Sequence, residues 1–157
     1  MTISPQALLQ TIKVNCLRRP LWSIETVSDF LDISRGEVMK KIEDGSLPVA
    51  FDIGRGAKRR EPRILALSAV ELQTGPIQGI GATRNLKLPE AINLILPGRD
   101  VRSTELKHLF QVGNDWCRRA RENFVAIRRP DVADGPQAYW TFSRQSVAAW
   151  LETRRIS

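Results

Sequence analysis

A cluster of cations at residues 54–63 is the part of this sequence best suited to binding chemistry. This basic loop contains five cations and one acid in the order Gly54-Arg55-Gly56-Ala57-Lys58-Arg59-Arg60-Glu61-Pro62-Arg63. Guanidinium and ammonium groups donate charge-assisted hydrogen bonds to phosphate oxygens, and glycine lets the main chain approach a ligand closely. The composition therefore predicts a site for a polyanion, although a cationic loop can also be only a solvated surface.

Catalytic and metal-binding chemistry has little support. The sequence contains one histidine, His108, and two cysteines, Cys16 and Cys117, which form neither a C-x-x-C nor an H-x-x-x-H motif. A structural zinc site therefore lacks ligands. No glycine-rich loop is followed by the Lys-Ser or Lys-Thr pair that binds nucleotide phosphates. We expect no metal, no cofactor and no enzymatic activity.

The composition is that of a globular chain with a basic bias. The 157 residues include 24 Lys+Arg and 17 Asp+Glu, a formal net charge of +7, and 42% are hydrophobic. This length permits one medium domain or two domains of about 75 residues each. Excess positive charge favours nucleic acid as the partner and, second, an anionic membrane surface.

No segment of the sequence predicts a membrane span. The longest apolar stretch, residues 91–96, is far shorter than the ~20 residues that a spanning helix needs. The N-terminus lacks the cationic start and long apolar run of a secretory signal. The two cysteines form no local pair, which favours a reducing compartment. We therefore expect a cytoplasmic, nucleoid-associated protein without a membrane partner.

An internal repeat organises the chain. Residues 23–38 match the segment 79 residues further along in the pattern of their apolar positions, as in Val27 and Leu106. Between the copies, three glycines and a proline in nine residues give the composition of a linker. The repeat predicts three segments: residues 1–74, a linker of residues 75–83, and residues 84–157.

The first copy predicts two short helices separated by a three-residue turn. Ser23 is a favourable N-cap for a helix through Leu31. Ser34 and Glu37 have the spacing of a capping box for a second helix, which runs to about Asp44 and is ended by Gly45. Such an arrangement is typical of a helix-turn-helix.

The second copy predicts the same arrangement, followed in both copies by a hairpin. Its helices run through Phe110 and from Asn114 or Asp115 to about Asn123. Strands are predicted at residues 48–53, 64–66, 124–128 and 139–142. The predicted fold is mainly α with small β-hairpin wings, an α+β class built from two tandem units.

The segment SIETVSDFLDISRGEVMKKIEDGSLP, the basic loop and the following SAVEL resemble winged helix-turn-helix DNA-binding domains of the MerR and phage-excisionase type. RSTELKHLFQVGNDWCRRA and YWTFSRQSVAAWLE resemble a more diverged second copy. The resemblance covers about 50 residues in each half. In that family the start of the second helix and the wing contact DNA, which implies contacts from Arg35, Met39, Lys40, Arg55, Lys58, Arg59 and Arg60.

The second copy departs from this pattern. Gly113 replaces the capping serine, Trp116 stands where the first copy has Glu37, and Arg121 falls at the apolar position of Ile42. Helical spacing and the second hairpin nevertheless predict contacts from Asn114, Arg118, Arg119, Arg128 and Arg129.

Side-chain chemistry assigns different roles to these residues. Arginine can pair bidentately with guanine and asparagine with adenine, whereas lysine more often meets phosphate. The basic loop, including Arg63, is expected along the phosphates or in a minor groove. The alternative is that the helix charges are only solvated, since acids such as Glu43 accompany them.

The aromatic residues add one ambiguous position. Trp22, Trp140 and Trp150 are expected in the core. Trp116 is expected to pack against the wing, with a contact to DNA or to a protein partner as the alternative.

The sequence predicts a non-catalytic, sequence-specific binder of double-stranded DNA from a bacterium, phage or plasmid. The family resemblance implies an excisionase-like architectural factor or a transcription regulator, and a packaging adaptor or a plasmid maintenance protein remains open. An oligomer on DNA is possible. A second alternative is a protein-interaction module using the Trp116 region, and a third, a metal-dependent nuclease, would need clustered carboxylates.

Overall fold

The computed structural model describes residues 18–54, 60–75, 82–119, 122–128 and 140–156. Within these ranges the chain is a mixed α+β protein with seven α-helices and two small antiparallel sheets. This agrees with the predicted combination of helices and small β-hairpins.

The first half contains two capped helices joined by a tight turn. Its elements are β1 (Leu21–Ser23), α1 (Ile24–Leu31), α2 (Arg35–Glu43), β2 (Ala50–Asp52), β3 (Pro62–Leu65) and α3 (Ala66–Thr74). Ser23 Oγ accepts from Thr26 N (3.3 Å) and Ser34 Oγ accepts from Glu37 N (3.2 Å), so both predicted N-caps are confirmed. Asp32 ends α1 in the left-handed conformation (φ 54°), which turns the chain toward α2.

The second half repeats this order of elements. After a 3₁₀ turn (Thr83–Asn85) it contains α4 (Leu88–Ile95), β4 (Val101–Arg102), α5 (Ser103–Phe110), α6 (Asn114–Arg119), β5 (Ala126–Arg128), β6 (Trp140–Phe142) and α7 (Arg144–Thr153). Gln111 ends α5 with φ 54°, as Asp32 ends α1. Helices α5 and α6 begin 79 residues after α1 and α2, which is the spacing of the sequence repeat.

The two sheets have the same topology. The strand orders are β1-β3-β2 and β4-β6-β5, with every pair antiparallel. In the first sheet Arg63 pairs with Ser23 on one side and Phe51 on the other. In the second sheet Thr141 pairs with Arg102 and Ile127. Arg63 and Thr141 are therefore equivalent positions.

One hydrophobic core joins the two halves. It contains buried side chains from both sheets, among them Leu21, Phe51, Leu65, Phe110, Phe142 and Leu151. A smaller cluster lies under α1 and α2 and is formed by Val27, Val38, Ile42, Leu47, Ala50, Ile64 and Ala69. The halves thus share a core in addition to their connection through residues 75–83.

The last described residues complete the first sheet. Asp52 N donates to Arg154 O (2.7 Å), and Ile156 N donates to Ala50 O (2.9 Å). Phe51 and Arg155 form an antiparallel bridge between them. This tail (residues 154–156) covers the edge of β2, whose main-chain groups would otherwise lack partners on that side.

Several predicted boundaries shift by a few residues. The strand expected at 48–53 is confined to Ala50–Asp52, and the return strand begins at Pro62 and gives way to α3 at Ala66. The hairpin ladder extends toward the loop because Ile53 N donates to Glu61 O (3.1 Å). Helix α6 is described to Arg119.

Candidate functional site

Helix α2 presents cations on one exposed face. Val38 and Ile42 are fully buried, which turns Arg35 and Lys40 outward, as the helical spacing predicts. Gly36 is also exposed, and only Ser34 Oγ, at 4.0 Å, lies near the place where a Cβ would be. The main chain at the start of α2 is therefore accessible to a ligand.

The side chain of Met39 does not face outward as predicted. Its side chain is half-buried and packs against the cluster that includes Val38 and Ile42. The Met39 thioether fills space beside the core, so in a contact with DNA it can offer only an apolar edge of its side chain.

Arg35 forms an ion pair with Glu25 at the start of α1. Both side chains are largely exposed, at 68% and 58%. A main-chain hydrogen bond lowers the pKa of Glu25; burial opposes this lowering, and the charge of Arg35 adds to it. Exposed ion pairs contribute about 0–1 kcal/mol, so Arg35 can exchange this carboxylate for a phosphate or a base at little cost.

The ends of the basic loop are fixed by Asp52. Its Oδ1 accepts from Gly54 N (2.9 Å) and from Glu61 N (3.0 Å), which holds the two sides of the hairpin together. Arg60 lies at the end of this loop and is exposed. Arg55, Lys58 and Arg59 lie outside the described residues.

Arg63 is not placed for a phosphate contact. It lies in β3, its side chain is only 12% exposed, and it donates from Nε to Phe110 O (2.7 Å) and from Nη2 to Gln111 O (3.0 Å). Burial lowers the pKa of its guanidinium, although the charges of Glu61 and Glu25 oppose this effect. We therefore correct its predicted DNA contact to a structural role, because its donors already serve carbonyls of the second half.

In the second half the predicted helix residues are exposed. Asn114, Arg118 and Arg119 lie on the surface of α6, and Arg118 Nη2 contacts Asp115 Oδ1 at 2.7 Å. Arg128 is the last residue of β5, and Arg129 lies outside the described residues. Asn114 and Arg119 are thus exposed at the positions equivalent to Arg35 and Lys40 of α2, whereas Arg118 is exposed where Met39 is half-buried.

Trp116 packs inward, across the boundary between the halves. Its Nε1 donates to Ile53 O (2.9 Å), next to the basic loop of the first half. Its ring contacts Phe110, Phe124 and Trp150 at centroid distances of 5.6, 6.5 and 5.8 Å. Trp116 thus contacts Phe124, which precedes β5 of its own half, and donates its N–H group to the residue that follows β2 of the first half. Trp22 and Trp150 also pack against the shared core.

Gln111 is the residue that sequence reasoning overlooked. Its Oε1 accepts from Ser23 N (2.7 Å) and its amide group also contacts Thr26 Oγ1 (3.0 Å). The seam, defined as Ser23, Thr26, Ile53, Arg63, Phe110, Gln111 and Trp116, therefore fixes the second turn against the first sheet. A large polar residue in the predicted turn was the available sign of a tertiary role.

Metal ligands and membrane spans are not found in the described ranges. No group of three or more His, Cys, Asp or Glu residues there could hold a metal ion. Likewise, no helix in the described part of the chain is long and apolar enough to cross a membrane.

Comparison of the chain with protein-family models, curated proteins and solved structures finds no match.

Proposed function

We propose that this chain is a non-catalytic, sequence-specific binder of double-stranded DNA, built from two winged helix-turn-helix units. The observation that carries the proposal is the exposed face of α2, where Arg35 and Lys40 flank an accessible Gly36. This helix follows α1 through a three-residue turn and precedes the hairpin of the basic loop. Such a helix can enter a major groove while the hairpin lies along the backbone.

The charge distribution supports the same assignment. Arg35 and Arg118 are each engaged by one exposed carboxylate, Glu25 and Asp115. These weak pairs hold the guanidinium groups in place without burying them, so phosphate can displace the carboxylates. The biological role that fits this architecture is an excisionase-like architectural factor or a transcription regulator in a bacterium, phage or plasmid.

The experiment is a binding titration of the full chain on labelled random-sequence duplex DNA at several salt concentrations. Contact with about 5–8 phosphates would make log K fall with log salt with a slope of about −0.9 per phosphate. A slope near zero, or no binding at low salt, would contradict the proposal. A parallel incubation with Mg²⁺ and Mn²⁺ checks for cleavage, which a non-catalytic binder would not show.

The second half has a candidate function of its own, protein binding. Val125 and Ile127, beside and within β5, are 63% and 44% exposed and offer apolar side chains that a protein partner could cover. The double substitution Arg118→Ala/Arg119→Ala separates the two functions. A reduced salt slope assigns α6 to DNA, and an unchanged slope removes α6 from the DNA contact and leaves the second half free for another partner.

A further inference from the structure

The tail and the basic loop meet in a polar groove. A cavity of about 410 Å³ is lined by Asp52, Arg60, Thr153, Arg154, Arg155 and Ile156. Three of these six residues are arginines, one from the first half and two from the second. The sequence places Arg60 far from Arg154 and Arg155, and only the pairing of the tail with β2 brings them together.

The acid in this groove is already engaged. Asp52 Oδ1 accepts two main-chain N–H groups, from Gly54 and Glu61, so part of its charge is directed toward the hairpin rather than toward the groove. Arg154 lies over the ring of Trp150 at 5.2 Å, which fixes its direction without neutralising its charge. Among its described lining residues the groove therefore has three arginines and one acid, and guanidinium donors suit an anion.

We propose that this groove, formed by Arg60, Arg154 and Arg155, binds a phosphate of the DNA backbone. The inference rests on the proposed function and extends its contact surface beyond the helix and loop of the first half. Arg60 and Arg155 are exposed and Arg154 is half-exposed, and guanidinium is the group that binds phosphate bidentately. The two halves together form this contact, since neither contributes all three arginines.

Substitution can test this while the main-chain hydrogen bonds of the tail remain in place. The tail is held by main-chain hydrogen bonds from Asp52 N to Arg154 O and from Ile156 N to Ala50 O. Replacing the side chain of Arg155 leaves these bonds in place, and Arg60 lies at the end of the exposed loop. Arg84→Ala/Lys87→Ala is the matched control, because it removes two exposed charges outside the groove.

The experiment compares the full-length wild type, Arg60→Ala/Arg155→Ala, Arg60→Lys/Arg155→Lys and the control on one labelled duplex across a salt series. We expect the alanine variant to reduce the magnitude of the salt slope by about 0.9, because one phosphate contact is lost. The lysine variant should keep most of the slope, since it retains both charges. The control should keep the wild-type slope.

Two failures are distinguishable. A wild type that binds with a steep slope, together with an alanine variant whose slope equals that of the control, would overturn the groove as a phosphate site and leave the proposed function intact. A wild type without salt-dependent binding would overturn both. A lysine variant that loses the slope as fully as the alanine variant would show that the charges are not what the site contributes.

Discussion

Asp32 and Gln111 occupy equivalent left-handed positions, 79 residues apart and both with φ 54°, but they serve different purposes. Asp32 is exposed, whereas Gln111 accepts a hydrogen bond from Ser23 N across the boundary between the halves. At the position equivalent to Ser23, Arg102 N donates to Glu105 Oε1 of its own half (3.1 Å). The seam is thus asymmetric although the fold is repeated.

The substitution Asp32→Gly should stabilise the protein, while Gln111→Gly should destabilise it. Glycine relieves about 1 kcal/mol of left-handed strain at either position, but only Gln111→Gly also removes the hydrogen bonds to Ser23 N and Thr26 Oγ1. Urea denaturation of both variants measures the two changes. Shifts of the same sign and similar size would contradict the asymmetric seam.

Arg63→Ala should lower the free energy of unfolding by about 2–3 kcal/mol, because it leaves the carbonyls of Phe110 and Gln111 without their charged donor. Arg119→Ala removes the same charge from an exposed position and should change stability by less than about 0.5 kcal/mol. Guanidinium denaturation distinguishes them. Equal effects would show that Arg63 does not hold the seam.

Trp116→Phe should destabilise the protein by about 1 kcal/mol more than Trp150→Phe. Trp116 Nε1 donates to Ile53 O, whereas the buried Nε1 of Trp150 has no hydrogen-bond partner among the described residues. The two rings contact each other at 5.8 Å, so both substitutions change the same aromatic cluster. If thermal unfolding shows that both substitutions destabilise the protein equally, the hydrogen bond to Ile53 contributes nothing to stability.

Glu105→Gln should weaken the dependence of stability on acid pH. Hydrogen bonds from Arg99 lower the pKa of Glu105 below its ordinary value of 4.5, against partial burial. Its ionised form therefore stabilises the fold above about pH 4.5, and that contribution is lost as the pH falls through the lower pKa of the folded state.

The difference in stability between the wild type and Glu105→Gln should accordingly shrink below pH 4.5. Glu152→Gln, at an exposed position of α7, is the control. Denaturation curves from pH 3 to 7 provide the measurement. A difference that stays constant with pH would exclude the ion pair as its source.

Arg35→Ala should relax the base preference of a site selected from random DNA fragments, and it should weaken binding to that site by roughly 1–3 kcal/mol. Lys40→Ala should weaken binding to all DNA sequences about equally, because lysine mostly contacts phosphate. Competition with single-base variants of the selected site measures both effects. An unchanged preference in Arg35→Ala would mean that α2 does not read bases.

The local elements could be predicted because their signals are local. Ser23, Ser34 and Gly45 act on neighbouring main-chain groups, so the ends of α1 and α2 follow from a few adjacent residues. The periodicity of Val38 and Ile42 likewise determines which face of α2 is exposed.

The seam and the groove could not be predicted in this way. In the sequence, Arg63 cannot be distinguished from the other cations of the basic loop. Only its neighbours across the boundary between the halves show that it is a buried donor. Trp116 and Arg155 also acquire their roles from contacts with residues far away in the sequence. Apolar spacing and capping patterns contain no information on such pairs.

The pairing of the tail with β2 has a consequence for synthesis. Phe51 emerges from the ribosome long before its partner Arg155, roughly 5–20 s earlier at typical elongation rates. During that interval the edge of β2 and the apolar side of the first sheet lack the chain that covers them, so a nascent first half is a target for chaperones or for mispairing with another nascent chain. Completion of the first sheet is therefore a late event relative to synthesis of the first half, and contacts of such high sequence separation are expected to make folding slow.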